Sequence, residues 1–189
     1  MRVIAGSKRS LKLKTPPGDN VRPTTDRIKE TLFNILNPRI YDCDFLDLFC
    51  GSGGIGIEAL SRGANSCVFV DSSNESLKYT KDNLKFTGLE NNASVLRSDA
   101  AGVIRELFTS GKRFDIVFMD PPYSNGLEKK VLEEISRYDI LKEDGLIIVE
   151  AAADTDFSYL GELGFIQVRE KNYGSNKHLF IEFPEKDNN

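Results

Sequence analysis

Asp120-Pro121-Pro122-Tyr123 follows the apolar run Phe114-Asp115-Ile116-Val117-Phe118-Met119. Such a run reads as a buried strand, so the tetrapeptide falls at its carboxyl end, where open α/β sheets bind ligands. Two consecutive prolines stiffen the turn and remove backbone donors, leaving carbonyl oxygens as acceptors. Asp120 adds a carboxylate and Tyr123 a flat aromatic face. These parts suit methylation of an exocyclic amine on a base. The amine is a poor nucleophile because its lone pair is delocalised into the ring. Asp120 Oδ and the Pro121 carbonyl can accept its two N–H bonds and aim the lone pair at a methyl group, while Tyr123 stacks on the ring. A paired base must first be unstacked or flipped. No metal is required, and the sequence shows no ligand cluster of the usual spacing.

A second segment supplies a nucleoside site. Asp47-Leu48-Phe49-Cys50-Gly51-Ser52-Gly53-Gly54-Ile55-Gly56 follows an apolar run and opens a helical stretch. Gly51, Gly53 and Gly56 match GxGxxG, which permits a tight turn and close approach of a ligand to the backbone. Asp71 ends the next strand, where a carboxylate can accept both ribose hydroxyls. A dinucleotide needs its pyrophosphate at the helix N-terminus, where Asp47 would repel it. Asp47 suits the ammonium of S-adenosylmethionine, held directly or through water. Asp99, at the end of the third strand, is placed for an adenine amino group or for capping the next helix. Cys50 lies in this loop, but amine methylation has no covalent step that would use a thiolate. On GxGxxG and Asp71 alone an NAD-dependent oxidoreductase would also fit; Asp47 and Asp120–Tyr123 would then have no task.

The elements that must hold these residues follow from the apolar pattern. Residues 2–14 alternate loosely around Gly6-Ser7 and predict a small β-hairpin. Thr15–Asn20 is a turn-rich linker. Thr24 or Thr25 can cap a helix with Ile28, Leu32, Phe33, Ile35 and Leu36 on one face, ended by Pro38. Strands are expected at Phe45–Phe49, Cys67–Val70, Ser94–Leu96, Phe114–Met119 and Leu146–Val149, with helices near 54–62, 73–87, 100–109 and 126–138. That alternation predicts a parallel sheet with helices on both faces. Phe165–Glu170 and His178–Phe183, joined by Asn172–Asn176, read as a closing antiparallel hairpin. His178 is expected to be a satisfied structural histidine. The Asp26/Arg27/Lys29/Glu30 cluster reads as a solvated helix face, with Arg27 alone a plausible RNA contact.

The chain has 189 residues, enough for one domain with a short appendage. Its mean hydropathy of −0.33 and lack of a long apolar run argue against a membrane span or a leader. Three cysteines, Cys43, Cys50 and Cys67, are too few and wrongly spaced for a disulfide framework or a structural zinc, which makes a reducing cytoplasm the expected home. Net charge is −4, yet residues 1–30 carry eight Lys/Arg against three Asp/Glu. A basic arm on an acidic body fits local contact with a polyanion; a solvated hairpin without a partner fits the charge equally well.

Taken together, the tetrapeptide and the Asp47…Gly51-Ser52-Gly53 loop resemble the class I amino-methyltransferases of nucleic acids. Arg22-Pro23-Thr24-Thr25-Asp26-Arg27-Ile28-Lys29-Glu30-Thr31-Leu32-Phe33-Asn34-Ile35-Leu36 and Glu58-Ala59-Leu60-Ser61-Arg62-Gly63-Ala64 are similar to the signature of the RsmD family, bacterial 16S ribosomal RNA guanine-N2 methyltransferases. The resemblance spans about residues 1–183; Lys177-His178 is less typical of it. It implies a Rossmann-like class I methyltransferase sheet, mostly parallel with a C-terminal antiparallel hairpin, plus an N-terminal β-hairpin and helix. The expected domains are 1–40, 41–184 and a polar tail at 185–189. It implies that Gly51, Gly53 and Asp71 line the S-adenosyl-L-methionine site, that Asp99 faces adenine, and that Asp120, Pro121 and Tyr123 hold the guanine amine. Lys8, Arg9, Lys12, Lys14 and Arg22 would touch RNA phosphates. The implied partner is small-subunit ribosomal RNA within a ribosomal particle, and the implied state a monomer. Adenine-N6 methylation of DNA or RNA remains an alternative, because the tetrapeptide recognises an amine rather than a particular ring.

Overall fold

The computed structural model describes residues 1–16, 26–123 and 126–185. Two compact units divide the chain, Met1–Asp99 and Ala100–Asn189. The first contains α1 (Asp26–Ile40), β1 (Asp44–Leu48), α2 (Gly54–Ser61), β2 (Ser66–Asp71), α3 (Asn74–Thr87) and β3 (Ala93–Arg97). The second contains α4 (Gly102–Thr109), β4 (Phe114–Met119), α5 (Leu127–Arg137), β5 (Leu141–Ala152), β6 (Ile166–Asn172) and β7 (Asn176–Glu182). The strand order is β3-β2-β1 within the first unit and β4-β5-β7-β6 within the second.

In the first unit β1 and β3 both run parallel to β2. Phe45, Leu46, Leu48, Phe69 and Val70 are fully buried, and near-continuous apolar runs of this kind belong to strands covered on both faces. Every residue of α2 is buried. The helix can lie that close to the sheet because Gly56 has no side chain: a Cβ there would run into the Phe69 ring and sit 2.6 Å from Cys67 Sγ. In the second unit β4 and β5 are parallel, while β7 runs antiparallel to both β5 and β6. The expected architecture, a mostly parallel sheet closed by an antiparallel hairpin, is the one observed.

Four local expectations change. The N-terminal hairpin carries a single antiparallel bridge, Arg2 to Lys12, with Val3 N donating to Leu11 O, Ser10 N to Val3 O and Leu13 N to Met1 O across it. Ile4 and Ala5 donate to the Glu58 carboxylate at 2.7 and 3.0 Å, and Ser7 N donates to Ser61 O. Pro38 lies inside α1 rather than ending it. It removes one donor, but Leu36 and Ile40, each 1% exposed, hold the last turn against the core. β5 begins at Leu141 rather than Leu146, because Leu141 already pairs with Phe114 across a bulge; Asp144, at φ 60°, gives that stretch its turn-like composition. The fourth change concerns Lys29, expected on a solvated face and found fully buried. Its Nζ donates to the Arg2 carbonyl and lies 3.4 Å from Glu58 Oε2. Glu58, also fully buried, further accepts from Arg62 Nε at 2.7 Å. Burial lowers the Lys29 pKa against the opposing pull of Glu58.

Candidate active site

The glycine loop in the first unit is held in a conformation its sequence only partly explains. Phe49, Gly51 and Gly53 take φ of 60°, 56° and 81°. Glycine adopts these values freely, whereas a bulky residue such as Phe49 does so at a cost of about 1–3 kcal/mol. Its turn is why β1 stops at Leu48. The strain is held by bonds on both sides. Cys50 N donates to Val70 O, the Thr80 hydroxyl to Gly51 O at 2.7 Å, and Asn83 Nδ2 to Ser52 O at 3.0 Å. Asn83 also exchanges bonds with the backbone of Lys14, tying the hairpin's exit to the same helix. Thr80 and Asn83 escaped notice in the sequence. Their signal was position: both fall on the α3 face that buries Leu77, Leu84 and Thr87.

The nucleoside residues are partly assembled. Gly51 N–H donates to Asp71 Oδ2 at 2.9 Å, and Ser73 N–H to Asp71 Oδ1 at 2.8 Å. Each carboxylate oxygen keeps further acceptor capacity. A Cβ on Gly51 would meet nothing within 4 Å, so the loop opens on free space beside Asp71. These features fit an adenosine-bearing ligand. Ser98 N donates to the Asp71 carbonyl, which draws the segment carrying Asp99 toward the same strand end. Asp99 is exposed there, and the residue flanking α4 is Ala101.

Asp47 sits under the loop, 1% exposed. The N-cap of α2 is Gly53, which has no capping side chain, and Asp47 Oδ2 supplies that cap from β1 by accepting Gly56 N–H at 2.9 Å. Burial pushes its pKa up to about 7. The thiol of Cys50 is likewise pushed up by burial, then by the Asp47 charge, which suits a loop residue and not a nucleophile. Among the described residues no His/Cys/Asp/Glu group could hold a metal.

The residues of the Asp120–Tyr123 tetrapeptide belong to the second unit. Asp120 follows β4 directly and is half-buried; Pro121 is buried; Tyr123 is 42% exposed. The Tyr123 hydroxyl donates to Glu150 Oε1 at 3.4 Å. Of the basic residues, Arg9, Lys12, Lys14 and Arg27 are exposed and Lys8 is half-buried. Arg22 lies outside the described residues, as do Thr24 and Thr25.

The family model described as Conserved hypothetical protein 95 matches residues 1–182. A Bacillus subtilis protein named "Putative rRNA methyltransferase YlbH" is 42% identical over 178 residues, 92% of this chain and 94% of that one. Ribosomal RNA small subunit methyltransferase D of Escherichia coli K12 is 37% identical over 154 residues, 82% of this chain and 76% of that one. The chain belongs to the RsmD family. The solved Escherichia coli structure titled "Putative methyltransferase yhhF" superposes with a TM-score of 0.82 at 33% identity, covering 96% of each chain. The structure of a hypothetical protein from Thermus thermophilus also reaches 0.82 at 29% identity, over 96% of this chain and 99% of that one. Both structures share this fold over nearly the whole of the chain.

For an RsmD chain, Asp47 makes a prediction with a definite sign. Its unfolded pKa is near 3.8 and its folded value about 7. Between those values the folded state keeps a proton that the unfolded state has lost, so this group's contribution falls as pH rises. The slope is about 1.4 kcal/mol per pH unit, levelling off above pH 7. Asp47→Asn keeps an acceptor for Gly56 and removes the titration. Thermal unfolding at pH 5 and pH 8 should show a smaller loss in the variant than in the parent. Affinity for S-adenosylhomocysteine should fall about tenfold in the same variant, because a buried carboxylate is the natural counter-charge for the ligand's ammonium. Unchanged affinity would remove Asp47 from the ligand site and leave it as a helix cap.

Proposed function

We propose that this protein transfers the methyl group of S-adenosyl-L-methionine to the exocyclic N2 amine of a guanine in 16S ribosomal RNA. The observation that carries the reading is Asp120-Pro121-Pro122-Tyr123 at the end of β4 in a chain of this family. When bound, S-adenosylmethionine supplies an electrophilic methyl group on a sulfonium. In the proposed site Asp71 receives the ribose hydroxyls, Gly51 and Gly53 let the ligand meet the backbone, Asp99 faces the adenine, and Asp47 balances the ammonium.

The protein's contribution to the chemistry is placement and charge. Asp120 and the Pro121 carbonyl accept the two N–H bonds of the guanine amine. That fixes the nitrogen lone pair on the line of methyl transfer and stabilises the positive charge growing on nitrogen. Tyr123 stacks on the extruded base, a contact worth about 1–3 kcal/mol. Lys8, Arg9, Lys12, Lys14 and Arg27, together with Arg22, contact phosphates without reading sequence. The reading places the enzyme as a cytoplasmic monomer acting on small-subunit RNA in a ribosomal particle. None of the described helices is long and apolar enough to cross a membrane.

Expression in a bacterial host whose 16S RNA lacks guanine-N2 methylation tests the proposal. Reappearance of N2-methylguanosine in that RNA is the expected result. N6-methyladenosine in its place would move the assignment to the adenine amine, which the same tetrapeptide can hold.

A further inference from the structure

Tyr123 is tethered to a buried polar cluster that the methyl-transfer reading does not use. Glu150 on β5 is 5% exposed, Asn176 on β7 5% and His178 on β7 fully buried. In the antiparallel register Glu150 stands directly opposite His178 and Ala152 opposite Asn176, so all three polar side chains rise from one face. Asn176 Nδ2 donates to Glu150 Oε1 at 2.7 Å, and His178 Nε2 is 3.0 Å from Glu150 Oε2. Glu150 Oε1 is also the acceptor for the Tyr123 hydroxyl. Tyr173 meets the His178 ring edge-on at 4.9 Å, and Phe118 does so at 6.0 Å, fixing the imidazole in place.

The cluster is more polar than packing needs. His178 Nδ1, Asn176 Oδ1 and the Tyr173 hydroxyl are buried without a hydrogen-bond partner among the described residues. An apolar set at these positions would complete the β5–β7 interface at lower cost, and polar groups kept against that cost tend to be kept for what they position. What this cluster reaches is the aromatic ring of the amine-binding tetrapeptide.

We propose that Glu150, held by Asn176 and His178, is a positioning residue that sets the plane of Tyr123 for stacking on the target base. The proposal rests on the methyl-transfer reading above for its functional consequence, and on Glu150 and Tyr123 alone for its geometry. Burial and the neighbouring Glu150 charge raise the Tyr123 pKa, so the phenol stays protonated and able to donate. Without the tether the ring turns freely about its χ1 and χ2 bonds, and each base must select the stacked orientation again. The loss then appears chiefly in KM for RNA, with kcat and donor affinity little changed.

A double-mutant cycle on methyl transfer tests this, using Tyr123→Phe, Glu150→Ala and their combination. Tyr123→Phe and Glu150→Ala should each lower kcat/KM for RNA about tenfold, and the pair should lose little more than either alone. Glu150→Gln, which keeps an acceptor for the phenol, should restore activity to within about threefold of the parent. Equal losses from Glu150→Ala in the parent and in the Tyr123→Phe protein would overturn the proposal. A second measurement needs neither substrate nor turnover. With 3-fluorotyrosine placed at position 123, the fluorine resonance should shift and sharpen in the Glu150→Ala protein and stay near the parent's in Glu150→Gln, which keeps the acceptor. An unchanged resonance in Glu150→Ala would also overturn it. If the unsubstituted protein shows no turnover while the fluorine signal responds, the tether stands and the assigned reaction fails.

Discussion

Asp120→Ala should lower kcat for methyl transfer about 10²–10³-fold while leaving donor affinity unchanged. The size follows from what the carboxylate does. In the proposed role it would accept one N–H of a weakly nucleophilic amine and face the positive charge that appears only as the new N–C bond forms. Preorganised groups aimed at charge that develops in the transition state are commonly worth about 10²–10³ in rate. Asp120→Asn keeps the shape and one acceptor oxygen but not the charge, so it should fall between the parent and the alanine protein. Steady-state transfer with saturating donor separates the effects: a loss confined to KM would mean that Asp120 only binds RNA. Stability should move little, since Asp120 is half-buried at a strand exit rather than inside the core.

Lys29→Ala should destabilise the fold by about 3–5 kcal/mol, the range for breaking one partner out of a buried charge pair. Lys29 and Glu58 are both fully buried, and Glu58 simultaneously receives Ile4 N, Ala5 N and Arg62 Nε. Removing the ammonium takes away one of Glu58's two cationic partners and the donor to the Arg2 carbonyl. For a chain of this size that corresponds to a fall in melting temperature of about 10 °C. Arg27→Ala, on the exposed side of the same helix, should stay within about 0.5 kcal/mol of the parent. The same node anchors the segment bearing Lys8, Arg9 and Lys12, so RNA affinity in Lys29→Ala should fall more than donor affinity. Equal melting temperatures for Lys29→Ala and Arg27→Ala would show that the node carries no stability.

These two residues also show where the sequence was readable. The place of Asp120 at a strand end could be read because a buried apolar run precedes it and two prolines and an aromatic ring follow it. The glycine loop is legible for the same reason, and Gly56 fills the role its spacing implies, a place where α2 touches β2 without a side chain between. Lys29 was hidden by residue type. It stands in phase with Phe33, Leu36 and Ile40, the buried stripe of α1, but a lysine in a charged run reads as solvated until its partner is known. That partner, Glu58, lies in another helix, far along the chain. Glu58 also fastens the N-terminal hairpin by accepting Ile4 N and Ala5 N, while Val3 N, Ser10 N and Leu13 N bond across the hairpin itself. Glu150, Asn176 and His178 meet only through the β5–β7 register, which no local pattern encodes. Local chemistry was therefore legible, and long-range polar pairing was not.

The most direct measurement is transfer of a tritiated methyl group from S-adenosylmethionine to small ribosomal subunits that lack their own guanine-N2 methylation, followed by digestion to nucleosides. The account predicts label in N2-methylguanosine from the parent protein and almost none from Asp120→Ala. Label in another nucleoside, or equal label from both proteins, would contradict it.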